Sequence, residues 1–306
     1  MSYKRLINTG FVSTTIFINS IYECEEMINN KIFDFYIYGS QLNKLLIGQK
    51  SIYVNSHFQP ITNLVAVTGQ ACTLRCKDCG NFSPLASSEY PLYDADDIIS
   101  DLKIILKYTA IKNIQYQGGE PFLHPKLSKL IFFAINDNRI DNCVISTNGT
   151  IIPDIDTILL QHKKVQIRIS NYPVTSIKAK KLQEYCIKNG INNRFYEFAG
   201  NKGMWHDMSR FERDFEHADN RFKNCAFNGC LTLENHRLGY CSRSTIAESV
   251  QGFIPKDDDY LEINNYPMFE NQLSNYISYP HFMEACTLCN GTDNPILIEP
   301  AVQLKR

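Results

Sequence analysis

The sequence predicts an α/β protein. Its centre reads as a partial (β/α)6 barrel, preceded by a small α/β unit and followed by a loop-rich region that carries cysteines. Three observations support this. Between about residues 60 and 200, short apolar runs alternate with amphipathic stretches of helical period. A polar motif follows each of the first three runs, at what would be the C-terminal mouth of parallel strands. Beyond residue 200 the alternation stops and cysteines gather. The boundaries read as 1–58, 59–215 and 216–306.

In the leading unit, TTIFIN and DFYIYG read as strands and YECEEMINN as a short helix. IYGSQLNKLL reads as a strand, a glycine turn and a helix start; one glycine is no dinucleotide fingerprint, so the unit reads as a structural cap. TNLVAVTG is the first barrel strand. DADDIISDLKIILKY is a helix, because Ile98, Ile99, Leu102, Ile105 and Leu106 share one face and acids open its first turn. NIQYQ, CVIS, KVQIRIS and NRFYEF follow as strands. Between them, KLSKLIFFAIND, PDIDTILLQH with its early proline, and SIKAKKLQEYCIKNG, stopped at Gly190, read as helices. NKGMWHDMSRFERDFEHADNRFKN reads as loop with a short helix, and CLTLENHRLGYC as a hairpin turning at Asn235-His236.

Composition narrows the function. The 306 residues are 44% hydrophobic and 21% charged, and 31 basic residues nearly cancel 32 acidic ones. With no field of one sign, neither nucleic acid nor an anionic membrane is an expected partner. Polar residues interrupt the N-terminal apolar stretch, and no run is long enough to cross a bilayer, so a cytoplasmic location is expected. In a reducing compartment the eleven cysteines point to metal or redox chemistry rather than disulfides. Cys24, Cys143 and Cys186 stand alone in apolar surroundings and read as small core hydrophobes. The others fall in three groups: 72/76/79, 225/230/241 and 286/289.

ACTLRCKDCG, residues 71–80, places Cys72, Cys76 and Cys79 in the spacing C-x3-C-x2-C. Soft thiolates select zinc, copper(I) or iron–sulfur clusters. Structural zinc closes its shell with four ligands, and a [4Fe–4S] cube also takes four cysteines. Three on one loop leave one iron open. The alternative is a zinc loop completed by a distant Cys or His, which leaves unexplained the glycines and the STNG motif at the next two strand ends.

This sequence resembles the radical S-adenosylmethionine (SAM) superfamily. The resemblance rests on the three-cysteine loop after the first barrel strand, Gly118-Gly119-Glu120 after the second, and Ser146-Thr147-Asn148-Gly149 after the third. It implies a [4Fe–4S] cluster held by Cys72, Cys76 and Cys79, with SAM on the open iron. It implies that Gly118 and Gly119 admit the SAM methionine, with Glu120 accepting from its ammonium or bracing the turn. Ser146 and Asn148 would reach the ribose or carboxylate. Ser170 and Arg168 alternate with Ile167 and Ile169 on one strand and so face the barrel; Arg168 would meet the SAM carboxylate or a substrate oxygen, or else be an ion-paired core arginine. An electron donor of flavodoxin or ferredoxin type would be a partner. One position departs from the family: Asp78 stands before the third cysteine, where an aromatic residue is usual.

Cys225, Cys230, Cys241, Cys286 and Cys289 resemble the cysteines of Twitch-like or shortened SPASM auxiliary-cluster domains, which implies one auxiliary [4Fe–4S] cluster. Five cysteines exceed the four a cube needs, and Cys225 competes with Cys230. Structural zinc is the alternative. A fully ligated cluster could carry electrons in an oxidation; a free fifth cysteine could return hydrogen and give epimerisation. For the substrate, Trp205 offers a stacking surface and Asp207 an acceptor for sugar hydroxyls, against the plainer reading of an exposed loop. The arrangement looks like radical SAM proteins that act on sugars or cyclitols in glycan and aminoglycoside pathways. A peptide-modifying enzyme and a non-catalytic zinc protein are the alternatives.

Overall fold

The computed structural model describes residues 60–305 except 87, 199–202, 209–211, 265–267 and 293–295, together with the backbone of five strands within residues 3–53. Those five are β1 (Tyr3–Asn8), β2 (Ser13–Ile18), β3 (Asp34–Tyr38), β4 (Lys44–Ile47) and β5 (Lys50–Tyr53). β1 pairs antiparallel with β2 and β3, and β4 with β5. Lys44–Ile47, read from sequence as a helix start, is therefore a strand: its pairing with β5 satisfies the backbone that a helix would have satisfied internally. The helix expected at YECEEMINN, and Cys24 within it, lie outside the described residues.

The barrel strands come in the expected order. β6 (Ile61–Val67), β7 (Ile111–Gln117), β8 (Ile140–Thr147), β9 (Val165–Asn171) and β10 (Asn193–Glu197) form consecutive parallel pairs. α1 (Ser83–Ala86) is a single turn after the cysteine loop. α2 (Ala95–Leu106) buries Ile98, Ile99, Leu102, Ile105 and Leu106, and Asp94 caps it by accepting from the Asp96 backbone at 2.7 Å. α3 (Leu127–Asn136) buries Leu127, Leu130, Ile131 and Ala134. α5 (Ser176–Lys188) buries Ala179, Leu182 and Cys186. These spacings are the 3.6-residue stripe of helices packed on a sheet.

PDIDTILLQH forms only the four-residue α4 (Thr157–Leu160). Asp156 accepts from the Ile158 backbone at 2.9 Å, so its side chain starts the helix three residues after the proline.

The later region joins the barrel sheet. β11 (Trp205–His206) pairs with β15 (Leu297–Ile298). α6 (Ala218–Asn224) leads into β12 (Cys230–Glu234), which lies parallel on β6. β13 (Arg237–Gly239) returns antiparallel through Asn235 and His236, at φ 48° and 63°, the left-handed pair of a tight hairpin turn. α7 (Ala247–Gln251) and α8 (Phe269–Ser278) flank β14 (Leu261–Glu262). The eight-stranded sheet runs β10-β9-β8-β7-β6-β12-β13-β14. The sixth parallel strand thus comes from beyond the barrel repeat and sits at the β6 edge. One buried core joins both regions, from Leu64, Ile114 and Ile145 to Leu238, Phe269 and Met283.

Candidate active site and cysteine centres

Alternation sends apolar side chains of the barrel strands outward under the helices and polar ones inward. In β9, Val165, Ile167 and Ile169 are buried, while Gln166, Arg168 and Ser170 line a cavity of about 580 Å³. That volume lies within the usual range for a small-molecule site. Its wall also includes Cys72, Cys76 and Cys79, Gly118 and Gly119, Ser146 and Asn148, and Trp205. Asp207 is not among the lining residues; its backbone N–H donates to the Ile296 carbonyl at 2.9 Å and its carbonyl accepts from Asn290 at 3.1 Å.

The cysteine loop is fixed by backbone contact at the strand ends. The N–H of Gly119 donates to the Gly69 carbonyl at 2.9 Å, and that of Glu120 to the Ala71 carbonyl at 2.8 Å. A Cβ on Gly118, at φ +156°, would meet the Gly69 oxygen at 2.1 Å, and one on Gly119 the Ala71 oxygen at 2.2 Å. The missing side chains therefore admit the segment that leads to Cys72. Glu120, 1% exposed, accepts from the Thr147 hydroxyl at 2.8 Å and from the backbone N–H groups of Asn148 at 2.9 Å and Phe122 at 3.1 Å. It braces the turn after β8. Burial pushes its carboxyl up to about 7 against the pull of those donors.

Two of the three thiols receive donors. Leu74 N–H points to the Cys72 sulfur at 3.4 Å, Asn148 Nδ2 to the same sulfur at 3.5 Å, and Gln303 Nε2 to the Cys76 sulfur at 3.4 Å. Hydrogen bonds to sulfur tune the potential of an iron–sulfur cluster. Burial pushes Cys72 up to about 12 and Cys76 to about 11, so these thiols release their protons when a metal cation arrives. Gln303 is a contact that sequence reading missed. Residues 302–304 run against the loop: Lys77 N–H donates to the Val302 carbonyl, and Leu304 N–H to the Arg75 carbonyl, each at 2.8 Å.

Arg168 lies over the Tyr196 ring at 4.4 Å and donates weakly to Gln115 at 3.4 Å. Its buried Nε has no hydrogen-bond partner among the described residues. The core ion pair weighed as an alternative is absent from the ion pairs of the described residues. Trp205 meets Tyr172 edge-on, with ring centroids 5.4 Å apart.

The second cysteine set divides. Cys225, Cys241, Cys286 and Cys289 line one small apolar cavity. Arg243 N–H points to the Cys241 sulfur at 3.4 Å, Gly291 N–H to the Cys289 sulfur at 3.3 Å and the Thr292 hydroxyl to the Cys225 sulfur at 3.6 Å. Burial raises Cys241 and Cys286 to about 12, and Cys225 and Cys289 add repulsion to both. Arg221 fixes this site by donating to the Asp214 carboxylate at 2.6 Å and the Cys286 carbonyl at 3.1 Å. Cys230 is not part of this wall; it lines the barrel cavity. The hairpin register sets it across from Cys241, but the ladder stops at Thr232–Gly239. Among the described residues, no three His, Cys, Asp or Glu side chains converge on one point at single-ion distance. Zinc would need its sulfurs about 2.3 Å from its centre. Each set instead lines an opening, and a soft donor set around an opening fits an iron–sulfur cluster.

Residues 66–195 match the Radical SAM superfamily model. Over that segment the chain is similar to the radical SAM domain. The matched segment takes in the three-cysteine loop and the motifs at the ends of β7 and β8. Among curated proteins, GTP 3',8-cyclase of Chlorobaculum tepidum is 32% identical over 89 residues, 29% of this chain and 26% of that one. GTP 3',8-cyclase of Clostridium acetobutylicum is 26% identical over 126 residues, 41% of this chain and 38% of that one. The chain therefore spans well under half of either relative. Among solved structures, BtrN in complex with AdoMet and 2-DOIA matches 80% of this chain and 99% of its own, with a TM-score of 0.50 at 10% identity. That likeness concerns the fold, and it covers a larger share of the chain than residues 66–195.

Proposed function

We propose that this protein is a radical SAM enzyme that removes a hydrogen atom from a carbon of a polar, sugar-like substrate. The observation that carries the reading is one cavity walled at its mouth by Cys72, Cys76 and Cys79 and lower down by Asn63, Asn113, Gln115 and Gln166. A wall of neutral amides suits a ligand rich in hydroxyls. When bound, the cluster and SAM supply a 5′-deoxyadenosyl radical.

The chain's own residues bind and orient. Cys72, Cys76 and Cys79 hold the cluster. Gly118, Gly119 and Glu120 hold the loop in place, so their part in binding SAM is structural. Asn148, Ser146 and Ser170 offer polar groups to the ribose or carboxylate. Arg168 brings an unspent N–H to an anionic or hydroxyl oxygen. Trp205 gives a sugar ring a flat wall, and Asp207, two residues further along and outside that lining, is the acceptor proposed for a substrate hydroxyl. Cys225, Cys241, Cys286 and Cys289 hold an auxiliary [4Fe–4S] cluster, and a flavodoxin- or ferredoxin-type donor supplies electrons. The test is anaerobic incubation with SAM and dithionite. 5′-Deoxyadenosine supports the reading; S-adenosylhomocysteine or methylthioadenosine as sole product contradicts it.

A further inference from the structure

The barrel cavity has side-chain charges of one sign. Among the described residues that line it, Arg168, Arg194 and Arg243 are present and no Asp or Glu is. Arg243 is engaged elsewhere. Its guanidinium lies over the Phe82 ring at 4.2 Å, and its charge offsets part of the burial that raises Cys289 in the second centre. Arg168 and Arg194 remain.

Their placement follows from the strands. Arg168 on β9 and Arg194 on β10 are register partners in a parallel pair, so their side chains leave the sheet on one face. Tyr196, two residues beyond Arg194, lines the same cavity. Its ring receives both guanidiniums, Arg168 at 4.4 Å and Arg194 at 4.8 Å from the centre. The ring attracts each cation and so holds two like charges close together. Like charges directly opposite each other on neighbouring strands destabilise a sheet. Neither is relieved by an acid: among the described residues the arginines in ion pairs are Arg139, Arg213, Arg221 and Arg237. Arg168 gives only a long bond, 3.4 Å, to the neutral Gln115.

The shape and charge of the pair select the anion. A guanidinium is a planar fork that matches a carboxylate or phosphate edge. One fork suffices for a carboxylate, and SAM brings a single carboxylate. Two forks match a phosphate ester, which carries about −1.5 to −2 at pH 7 and three acceptor oxygens. β10 is the edge strand of the sheet, and Arg194 is exposed there. A phosphate at this edge keeps part of its hydration while the sugar it carries reaches inward to Gln115 and Gln166.

We propose that the substrate is a phosphorylated sugar, recognised through its phosphate by Arg168 and Arg194 over the Tyr196 ring. This rests on the radical SAM reading above for the reaction that follows binding. A sugar phosphate and a nucleoside-diphosphate sugar share the required chemistry, and the test separates them.

The test is anaerobic titration calorimetry of cluster-loaded protein with SAM. The probes are glucose, mannose and N-acetylglucosamine, each as the free sugar, the 1-phosphate, the 6-phosphate and the nucleoside-diphosphate sugar, together with glucuronate. In at least one series a phosphorylated member binds ten times or more tighter than its free sugar and than glucuronate, and added salt weakens it. The tightest member identifies the source as monoester or diphosphate. Arg168→Gln and Arg194→Gln each weaken that binding at least tenfold, and Arg194→Lys, which keeps the charge but loses the fork, recovers only part. Should Arg168→Gln fail to fold, Arg194→Gln at its exposed position still decides the matter. No binding by any phosphorylated probe, glucuronate or free sugars bound as tightly, or wild-type affinity in Arg194→Gln would each overturn the proposal. Dithionite added to parallel samples tests the reaction separately. Absence of 5′-deoxyadenosine would remove the radical reading, while the affinities alone decide the phosphate site.

Discussion

Glu120 accepts a hydrogen bond from the backbone N–H of Asn148 at 2.9 Å, tying the end of β7 to the end of β8. Asn148 in turn reaches the Cys72 sulfur at 3.5 Å and the Thr73 hydroxyl at 3.1 Å. Three strand-end motifs that are far apart in sequence thus form one hydrogen-bonded unit around the cysteine loop.

This unit carries a pH signature. Burial raises Glu120 from 4.5 to about 7, so the folded state holds its proton more tightly than the unfolded chain does. The stabilisation is complete below about pH 4.5 and is lost as pH rises toward 7; a shift of this size is worth about 3 kcal/mol. Glu120→Gln cannot titrate. Its Tm should fall less than that of wild type between pH 5 and pH 7.5, measured by thermal unfolding under argon. Parallel curves would contradict the assignment.

Gly119→Ala would press a Cβ to 2.2 Å from the Ala71 carbonyl. The backbone leading to Cys72 must then shift, at about 1–3 kcal/mol. The expected result is a lower Tm together with loss of about four irons on reconstitution. A variant with full iron content would show that the loop tolerates the side chain.

Arg221 holds the second centre through Asp214 and the Cys286 carbonyl. Arg221→Met keeps much of the length but removes these donors, at about 1.5–3 kcal/mol for a charged hydrogen bond. Iron should fall toward the content of one cube while SAM cleavage persists. Iron and sulfide assays with product chromatography check both parts.

Trp205→Ala removes the edge contact with Tyr172, worth about 0.5–1.5 kcal/mol, and one wall of the cavity. The substrate KM should rise several-fold, with smaller change in 5′-deoxyadenosine formed without substrate. Trp205→Phe should recover part of the loss. An unchanged KM would return Trp205 to a packing role.

Much of this was legible in the sequence. Strands buried on one face advertise themselves by alternation, as Ile167-Arg168-Ile169-Ser170 does, and Asn235-His236 marks a turn because both residues tolerate positive φ. Long-range docking was not legible. Gln303 reaches Cys76 across 227 positions, and nothing near either residue announces it. The face of Cys230 is set by the parallel seating of β12 on β6, so local spacing could not separate Cys230 from Cys225. PDIDTILLQH has helical period but too few residues after the Asp156 cap to propagate.

The most direct test of the two-centre account is iron and sulfide counting on anaerobically reconstituted wild type, Cys76→Ala and Cys289→Ala, each then given SAM and dithionite. The account predicts about eight irons in wild type and about four in each variant, with 5′-deoxyadenosine lost only in Cys76→Ala. Zinc in place of iron, or SAM cleavage by Cys76→Ala at the wild-type rate, would contradict it.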